Sequence, residues 1–257
     1  MSDDVFYKSI ETAYSLGYKK INFTPTTGEL FLHKKWAEYL QYVINDSRSE
    51  SVYFYSNAIL LDEDAVNKIL SLENTDKISA IFFSIGGVDR DSYRLMYGVD
   101  KFDTVCENIN LLLKKLDTAG LNIKINCELR VPHDIKPDIG QISRKLNAVG
   151  YKNFNLDYID RYDDIGGTIK SEHLKLLKQK DKTTPCYRLN DIRFDIYGDI
   201  WACGCVVTEQ VGNSELKLGG ADTDLDEILL NKEGLLKSWN LKKIPNPCSG
   251  CRLYKGI

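Results

Sequence analysis

Four of the seven cysteines have a spacing that suits metal ligation. Cys186 and Cys203 stand at the two ends of a short alternating segment, and Cys248 and Cys251 form a CxxC pair near the C-terminus. Four thiolates of this kind bind either an iron–sulfur cluster or zinc. Zinc modules commonly use two close pairs, whereas the first pair here is spread over a predicted hairpin. The spacing therefore favours an iron–sulfur cluster and leaves zinc as the alternative.

The composition agrees with ligation rather than with disulfide bonding. The N-terminal segment MSDDVFYKSIETAYSL is acidic and amphipathic, unlike a signal or transit peptide. Cysteines without an export signal are expected to be reduced, and an odd count does not suit a disulfide framework. We therefore expect a cytoplasmic location. Hydrophobic residues make up 43% of the chain and charged residues 28%, as in ordinary globular proteins. No apolar run approaches the ~20 residues that span a bilayer, so no membrane partner is expected.

A β-hairpin is predicted to bring Cys186 and Cys203 together. Residues 192–196 alternate between apolar and polar, residues 197–199 read Tyr-Gly-Asp, and an extended pattern then resumes. The central glycine can adopt the positive φ that such a turn needs. Cys205 lies two residues beyond Cys203 and would point to the same strand face, so either could be the ligand.

Upstream of this hairpin, strand and helix patterns alternate. The predicted strands are, in order, KKINFTPTT, SVYFYSNA, ISAIFFSIGG, NIKINCELRV and NFNLDYID. The clearest helix is KFDTVCENINLLLKKLDTAG, because its apolar positions from Phe102 to Leu116 follow the 3.6-residue period and Gly120 ends it. The alternation predicts parallel βαβ units in an α/β domain over 1–175. A second domain over 176–257 would contain the hairpin, one helix near 224–240 and the CxxC pair.

Several predicted strands carry polar side chains on one face. In NIKINCELRV, Asn126, Glu128 and Arg130 alternate with apolar residues, and the first and last strands show the same pattern. Burying such groups without partners costs about 1–3 kcal/mol each, so they should line a polar cavity or bind a ligand. A partial (β/α) barrel with a polar lumen satisfies this requirement and places its site at the carboxyl ends of the strands. The alternative is an open sheet with one face in solvent.

Polar or glycine residues stand at the end of each of these strands. They are Gly28 and Glu29 for the first strand, Ser56 and Asn57 for the second, Ser84 for the third, Arg130 for the fourth, and Asp163 and Asp164 for the fifth. Taken singly, such residues are typical of turns.

Taken together and in this order, the segments resemble the radical S-adenosylmethionine (radical SAM) superfamily. In that family a GGEP segment after the second barrel strand holds the amino group of the cosubstrate, and the corresponding TTGEL keeps only the Gly-Glu. YSNAILL is similar to the family's TNG segment, and SIGGVDRDSYRLMYG is similar to its SIDG segment followed by a helix. These three segments are the part of the resemblance that concerns the cosubstrate.

The resemblance implies a role for each of these residues. Gly28 and Glu29 would hold the amino group of S-adenosylmethionine. Ser56, Asn57 and Ser84 would face its ribose or carboxylate. Arg130 would pair with the carboxylate, a task that suits its bidentate geometry.

The cysteines extend the resemblance to the auxiliary cluster domains called SPASM or, when shortened, twitch. These domains open with Cys, a Gly, four residues and a second Cys, which Cys186, Gly198 and Cys203 match. Cys248 and Cys251 would complete the set. The sequence continues for six residues after Cys251, and so resembles the twitch form with one auxiliary [4Fe–4S] cluster.

The family's catalytic motif, CxxxCxxC after the first barrel strand, does not occur in the sequence. The chain begins in what resembles the first barrel helix. We therefore expect either an N-terminally shortened enzyme or a relative that has lost the catalytic cluster. The residues as given are not expected to generate a radical by the family's route.

For an intact enzyme, the resemblance implies an oxidoreductase or modifying enzyme. It would cleave S-adenosylmethionine reductively and abstract hydrogen from a polar substrate, such as a sugar derivative or a peptide side chain. The auxiliary cluster would accept an electron, and a separate electron donor would be needed. Asp163 and Asp164 would face the substrate or serve as a base, the alternative being a solvated loop.

The competing hypothesis is a non-catalytic binding protein whose fold is stabilised by a cluster or by zinc. The formal net charge of −3, with dispersed Lys and Arg, does not favour a nucleic-acid partner. An incomplete barrel would expose apolar side chains, which predicts either a homodimer that covers the open edge or marginal stability. Cys106 and Cys127 lie on apolar faces and are predicted to be core residues.

Overall fold

The computed structural model describes residues 1–25, 28–146, 150–163, 172–204 and 214–257. The chain divides into two compact units. The sheet unit consists of Lys19–Arg161 and His173–Lys175, and the cysteine unit consists of Met1–Tyr18, Tyr162–Glu172 and Leu176–Ile257. Helix α1, Asp3–Ser15, was predicted to precede the barrel strands as part of the domain 1–175. In the structure it clusters with the C-terminal residues instead.

The sheet unit alternates strands and helices as the sequence predicts. Its strands are β1 Lys20–Phe23, β2 Ser51–Ser56, β3 Ile78–Gly86, β4 Ile125–Arg130 and β5 Phe154–Ile159. Its helices are α2 Trp36–Asn45, α3 Glu63–Ser71, α4 Arg90–Tyr97, α5 Phe102–Thr118 and α6 Ile139–Lys145, with 3-10 turns at Leu30–Leu32 and Thr75–Lys77.

The five strands form one parallel sheet in the order β1-β2-β3-β4-β5. In doubly wound sheets the strand order reverses at a switch point, whereas a (β/α) barrel places successive strands side by side. The predicted parallel α/β fold is therefore confirmed. The sequential order is consistent with a partial (β/α) barrel.

Periodicity accounts for how these elements pack. The seven predicted apolar positions of α5 are all buried: Phe102, Val105, Cys106, Ile109, Leu112, Leu113 and Leu116. In β4 the alternate residues Ile125, Cys127 and Leu129 are at most 1% exposed. Cys106 and Cys127 are thus core residues, as predicted. The opposite face of β4 carries the polar side chains considered below.

The described residues of the cysteine unit include a small antiparallel sheet and two helices besides α1. Strands β6 Arg161–Tyr162 and β7 Lys175–Leu176 lie where the chain passes from one unit to the other. The remaining elements are the 3-10 turn Tyr187–Asn190, β8 Arg193–Phe194, β9 Ile200–Trp201, the 3-10 turn Ser214–Leu216, β10 Lys217–Gly219, α7 Leu225–Asn240 and α8 Asn246–Gly250. The sheet order is β10-β9-β8.

The predicted hairpin is present, with β8 and β9 antiparallel and Gly198 at φ 89° in the turn. Ile192 and Phe194 pack against the core of the unit. Ile196 was expected on the same face, but it is 55% exposed because the turn has already begun at Asp195. The core itself consists of Cys186, Leu189, Ile200, Ala202, Cys203, Leu216, Leu218, Ile228, Leu235, Trp239 and Tyr254.

None of the helices in the described ranges is long and apolar enough to cross a bilayer.

Candidate functional site

The loops after β1 and β2 are joined by one carboxylate. Glu29 Oε2 accepts a hydrogen bond from the Asn57 backbone N–H at 2.7 Å, and Glu29 Oε1 accepts one from the Phe31 N–H at 3.4 Å. Glu29 therefore caps the 3-10 turn Leu30–Leu32 and ties it to the next strand end. The structure thus brings the predicted residues Gly28-Glu29 and Asn57 to the same edge of the sheet.

The loop after β2 is shaped by its own side chains. Ser56 Oγ accepts a hydrogen bond from Ala58 N at 2.9 Å, and Asn57 Oδ1 accepts one from Ile59 N at 3.0 Å. Asn108 of α5 holds the loop from outside, because its Nδ2 donates to Ala58 O at 2.8 Å and to Ile59 O at 3.2 Å. These bonds fix the backbone where the resemblance places a cosubstrate loop.

The polar face of the sheet runs across β3, β4 and β5. Ser84 pairs in register with Glu128, and Glu128 pairs with Asp157. Because neighbouring residues in register share a face, these three side chains form one polar row. Asn126 and Asn155 form a second row next to it, in register with the aromatic Phe82.

Two polar atoms in this region are buried and lack a hydrogen-bond partner among the described residues. They are Asn126 Nδ2 and Arg130 Nε, and the Asn126 residue is only 6% exposed. An unpaired buried donor costs about 1–3 kcal/mol, so native structures rarely keep one without a reason. Both donors lie on the polar face of β4, where a ligand with oxygen acceptors would satisfy them.

Tyr97 of α4 completes the polar group at the end of β4. Burial raises the pKa of its phenol. The Arg130 guanidinium opposes this rise, and the Glu128 carboxylate adds to it. A Cβ added at Gly86 would meet the Tyr97 ring at 2.5 Å, so the ring lies directly over this strand end. Gly86 is the register partner of Arg130. The phenol, the guanidinium and the Glu128 carboxylate therefore lie close together.

In the cysteine unit, Asp195 shapes the hairpin between Cys186 and Cys203. Its Oδ1 accepts hydrogen bonds from Tyr197 N at 2.9 Å and Asp199 N at 3.0 Å, and its Oδ2 accepts one from Trp201 Nε1 at 3.0 Å. The Asp195 residue is 8% exposed. A buried carboxylate with three donors is well satisfied.

The C-terminal residues hold Cys186 through backbone pairing. Cys186 forms an antiparallel bridge with Gly256, Tyr187 N donates to Lys255 O at 2.8 Å, and Ile257 N donates to Pro185 O at 3.0 Å. The segment that follows the CxxC pair therefore runs beside the first predicted ligand.

The four predicted ligand cysteines form one interacting group. Cys186, Cys203 and Cys248 contact the same apolar core. Burial, together with the neighbouring Cys203, Cys251 and Cys186 thiols, raises the pKa of Cys248 to about 12. Burial also raises the pKa of Cys251. A hydrogen bond from the Leu253 backbone N–H acts in the opposite direction, whereas the Asp163 carboxylate and the Cys203 and Cys186 thiols add to the rise.

The donor chemistry of this group fits a thiolate-bound metal centre. A bound cation reverses the repulsion that keeps these thiols protonated, because a coordinated thiol is deprotonated. In the described ranges, no group of three or more His, Cys, Asp or Glu side chains has the geometry to hold a metal ion as it stands.

Asp163 lies in the cysteine unit, where its Oδ1 accepts a hydrogen bond from Arg252 N at 3.0 Å. Arg252 is the residue directly after Cys251. Asp164, the other predicted catalytic residue, and Cys205, the alternative ligand, lie outside the described residues.

The sequence analysis did not single out Asn108 or Tyr97. Asn108 is one of many polar residues outside the apolar face of the amphipathic helix α5, so no local signal distinguished it. Tyr97 ends α4 and carried no signal, because only the packing of α4 on β3 brings its ring to Gly86.

No protein-family model and no curated protein matches the sequence. Among solved structures, the chain is similar to that of BtrN in complex with AdoMet and 2-DOIA, with a TM-score of 0.53 and 14% sequence identity. The match covers 98% of this chain and 80% of BtrN. What the two chains share is the fold.

Proposed function

We propose that the chain belongs to a radical SAM-type oxidoreductase or modifying enzyme that binds S-adenosylmethionine at the carboxyl edge of the sheet. The observation that carries this proposal is the unpartnered donor Arg130 Nε, at the carboxyl end of β4. The likeness to BtrN, solved with AdoMet, supports it.

The residues at this edge suit the parts of the cosubstrate. The Arg130 guanidinium would pair with the methionine carboxylate. Ser56, Asn57 and Ser84 would face the ribose or the carboxylate. The Glu29 carboxylate already accepts two backbone N–H groups, so its first task is to hold the loops after β1 and β2 together. Gly28 would let the backbone approach the amino group.

The polar row beyond these residues suits a substrate with hydroxyl or amino groups. Glu128 and Asp157 offer acceptors, and Asn126 Nδ2 offers a donor. Such groups recognise a sugar derivative or a polar peptide side chain better than an apolar molecule, because an apolar ligand would leave Asn126 Nδ2 buried and unpaired.

Cys186, Cys203, Cys248 and Cys251 would hold an auxiliary [4Fe–4S] cluster in the cysteine unit. Such a cluster supplies one-electron transfer when bound. The chain's own contribution is the scaffold: the Asp195-capped hairpin, the Cys186–Gly256 bridge and the apolar core around the thiols. Zinc is the alternative occupant, with a purely structural role.

Equilibrium titration with S-adenosylmethionine tests the cosubstrate site. Replacing Arg130 with Ala removes a charged hydrogen bond, worth about 1.5–3 kcal/mol. The affinity should therefore fall by about 10- to 100-fold. Arg94→Ala is the matched control, because Arg94 pairs with Asp100 on the exposed side of α4. Equal affinity in the Arg130→Ala variant, or no binding by the unaltered chain, would reject the site.

A non-catalytic binding protein is the second candidate. The observation that favours it is that both Glu29 oxygens are engaged within the loops, which therefore keep their shape without a cosubstrate. A chain that binds iron–sulfur or zinc at the cysteines but does not bind S-adenosylmethionine would support this second candidate over the first.

A further inference from the structure

Asp163 and Arg252 close a ring of hydrogen bonds around the end of the CxxC pair. Arg252 N donates to Asp163 Oδ1 at 3.0 Å, and Arg252 Nη1 donates to Leu177 O at 2.8 Å. Leu177 N in turn donates to Tyr162 O at 2.8 Å. The ring therefore links three segments of the cysteine unit that are far apart in the sequence.

A second hydrogen bond is made to the backbone between the two cysteines of the CxxC pair. Gln179 Nε2 donates to Ser249 O, between Cys248 and Cys251, at 3.1 Å. Gln179 lies two residues after Leu177, so one extended segment contacts both the interior and the far end of the CxxC pair. Helix α8 spans only five residues and supplies little stability of its own.

The Asp163 carboxylate also places a negative charge beside the thiols. Its Oδ1 lies 3.0 Å from the backbone nitrogen of Arg252, and Arg252 directly follows Cys251. Nearby charge is one of the features that set the reduction potential of an iron–sulfur cluster.

We propose that Asp163 is a positioning residue for the cysteine centre: its carboxylate fixes the backbone after Cys251 and sets the local charge. This role differs from the predicted role of Asp163 as a catalytic base, and it rests on the proposed metal centre at Cys186, Cys203, Cys248 and Cys251. Groups that orient first ligands in this way change metal affinity by about 10- to 100-fold when they are removed.

The test compares the unaltered chain with Asp163→Ala and Asp163→Asn. The Asn variant keeps an oxygen for the Arg252 N–H but loses the charge, whereas the Ala variant loses both. Asp224→Ala is the matched control, because Asp224 also accepts a backbone N–H, at the start of α7, and that N–H does not belong to the CxxC pair or to a residue next to it. Each metal-free chain is titrated with Co²⁺, whose thiolate absorption reports binding. Each is also reconstituted with iron and sulfide, and its potential is measured by redox titration.

We expect Asp163→Ala to lower Co²⁺ affinity by about 10- to 100-fold. Asp163→Asn should retain near-normal affinity and shift the cluster potential to a more positive value, because an anion beside the reduced cluster is gone. Asp224→Ala should change neither quantity.

The inference is overturned if folded Asp163→Ala binds Co²⁺ as the unaltered chain does, or if Asp163→Asn leaves the potential unchanged. Circular dichroism establishes that each variant is folded, and the potential of Asp163→Asn decides the matter if Asp163→Ala does not fold. If the unaltered chain binds neither Co²⁺ nor a cluster, the proposed metal centre fails as well. Failure of Asp163 alone leaves that centre intact.

Discussion

The hairpin between Cys186 and Cys203, the first two predicted ligands, depends on one buried carboxylate, and its removal gives a quantitative prediction. Replacing Asp195 with Ala removes three hydrogen bonds. The two turn N–H groups can turn to water, and each loses about 1 kcal/mol of net stabilisation. Trp201 Nε1 stays buried, since the Trp201 residue is 7% exposed, and an unpaired buried donor costs about 1–3 kcal/mol. The sum is about 3–5 kcal/mol lost from the free energy of unfolding.

A double-mutant cycle with Trp201→Phe isolates the buried bond. With the indole absent, Asp195→Ala leaves no buried donor unpaired and should cost only about 2 kcal/mol. The coupling energy should therefore be about 1–3 kcal/mol. Urea unfolding of the metal-free chain, followed by circular dichroism, measures all four proteins. Costs that add to within about 0.5 kcal/mol would refute the assigned role of the Trp201 bond.

Three further substitutions have expected outcomes. A Cβ at Gly87, which has φ 71°, would meet Tyr93 N at 2.5 Å, so Gly87→Ala should cost about 2–5 kcal/mol in urea unfolding. Gly98→Ala, with a similar φ of 73° but no neighbour within 4 Å, should cost only about 1–2 kcal/mol, and equal costs would contradict the overlap. Burial raises the pKa of Cys106 from 9.0 to about 11, so the unfolded chain releases this proton first. Stability present below pH 9 should then fall by up to about 2–3 kcal/mol as the pH rises to 11, and Cys106→Ser should flatten this loss in unfolding measured across pH. Asn108→Ala frees the loop after β2 and should cost about 1–2 kcal/mol while weakening S-adenosylmethionine binding, whereas unchanged binding would separate the loop from the cosubstrate.

Local periodicity was sufficient to predict most of the secondary structure. The five strands, the long helix α5, the hairpin and the helix near 224–240 all follow patterns within a single window of sequence. The 3-10 turn Leu30–Leu32 was not predicted, and helix α2 begins only after it, at Trp36. That turn is capped by Glu29, whose other partner is Asn57 on the next strand, so its cause is not local.

Packing partners were harder to predict than elements. The amphipathic pattern of α1 defines its apolar face but not what that face contacts, and the helix clusters with the C-terminal unit rather than with the sheet. Asp163 and Arg252 are 89 residues apart, and nothing in either segment indicates the other. The polar face of β4 was predicted from alternation. Two donors on this face, Asn126 Nδ2 and Arg130 Nε, lack hydrogen-bond acceptors in the part of the chain that the structure describes. This depends on the side chains of neighbouring strands, which the pattern within β4 does not show.

The division of the chain has a consequence for the order of events during synthesis. The sheet unit is nearly continuous in sequence, whereas the cysteine unit is assembled from both ends of the described chain. Domains generally fold as units while the chain leaves the ribosome, so the sheet can form before the C-terminal residues that cluster with α1 have been made. The backbone bridge at Cys186 forms only after Gly256 has been made. If the proposed centre forms, metal supplied to the nascent protein would meet an incomplete scaffold, so we expect loading into the finished chain.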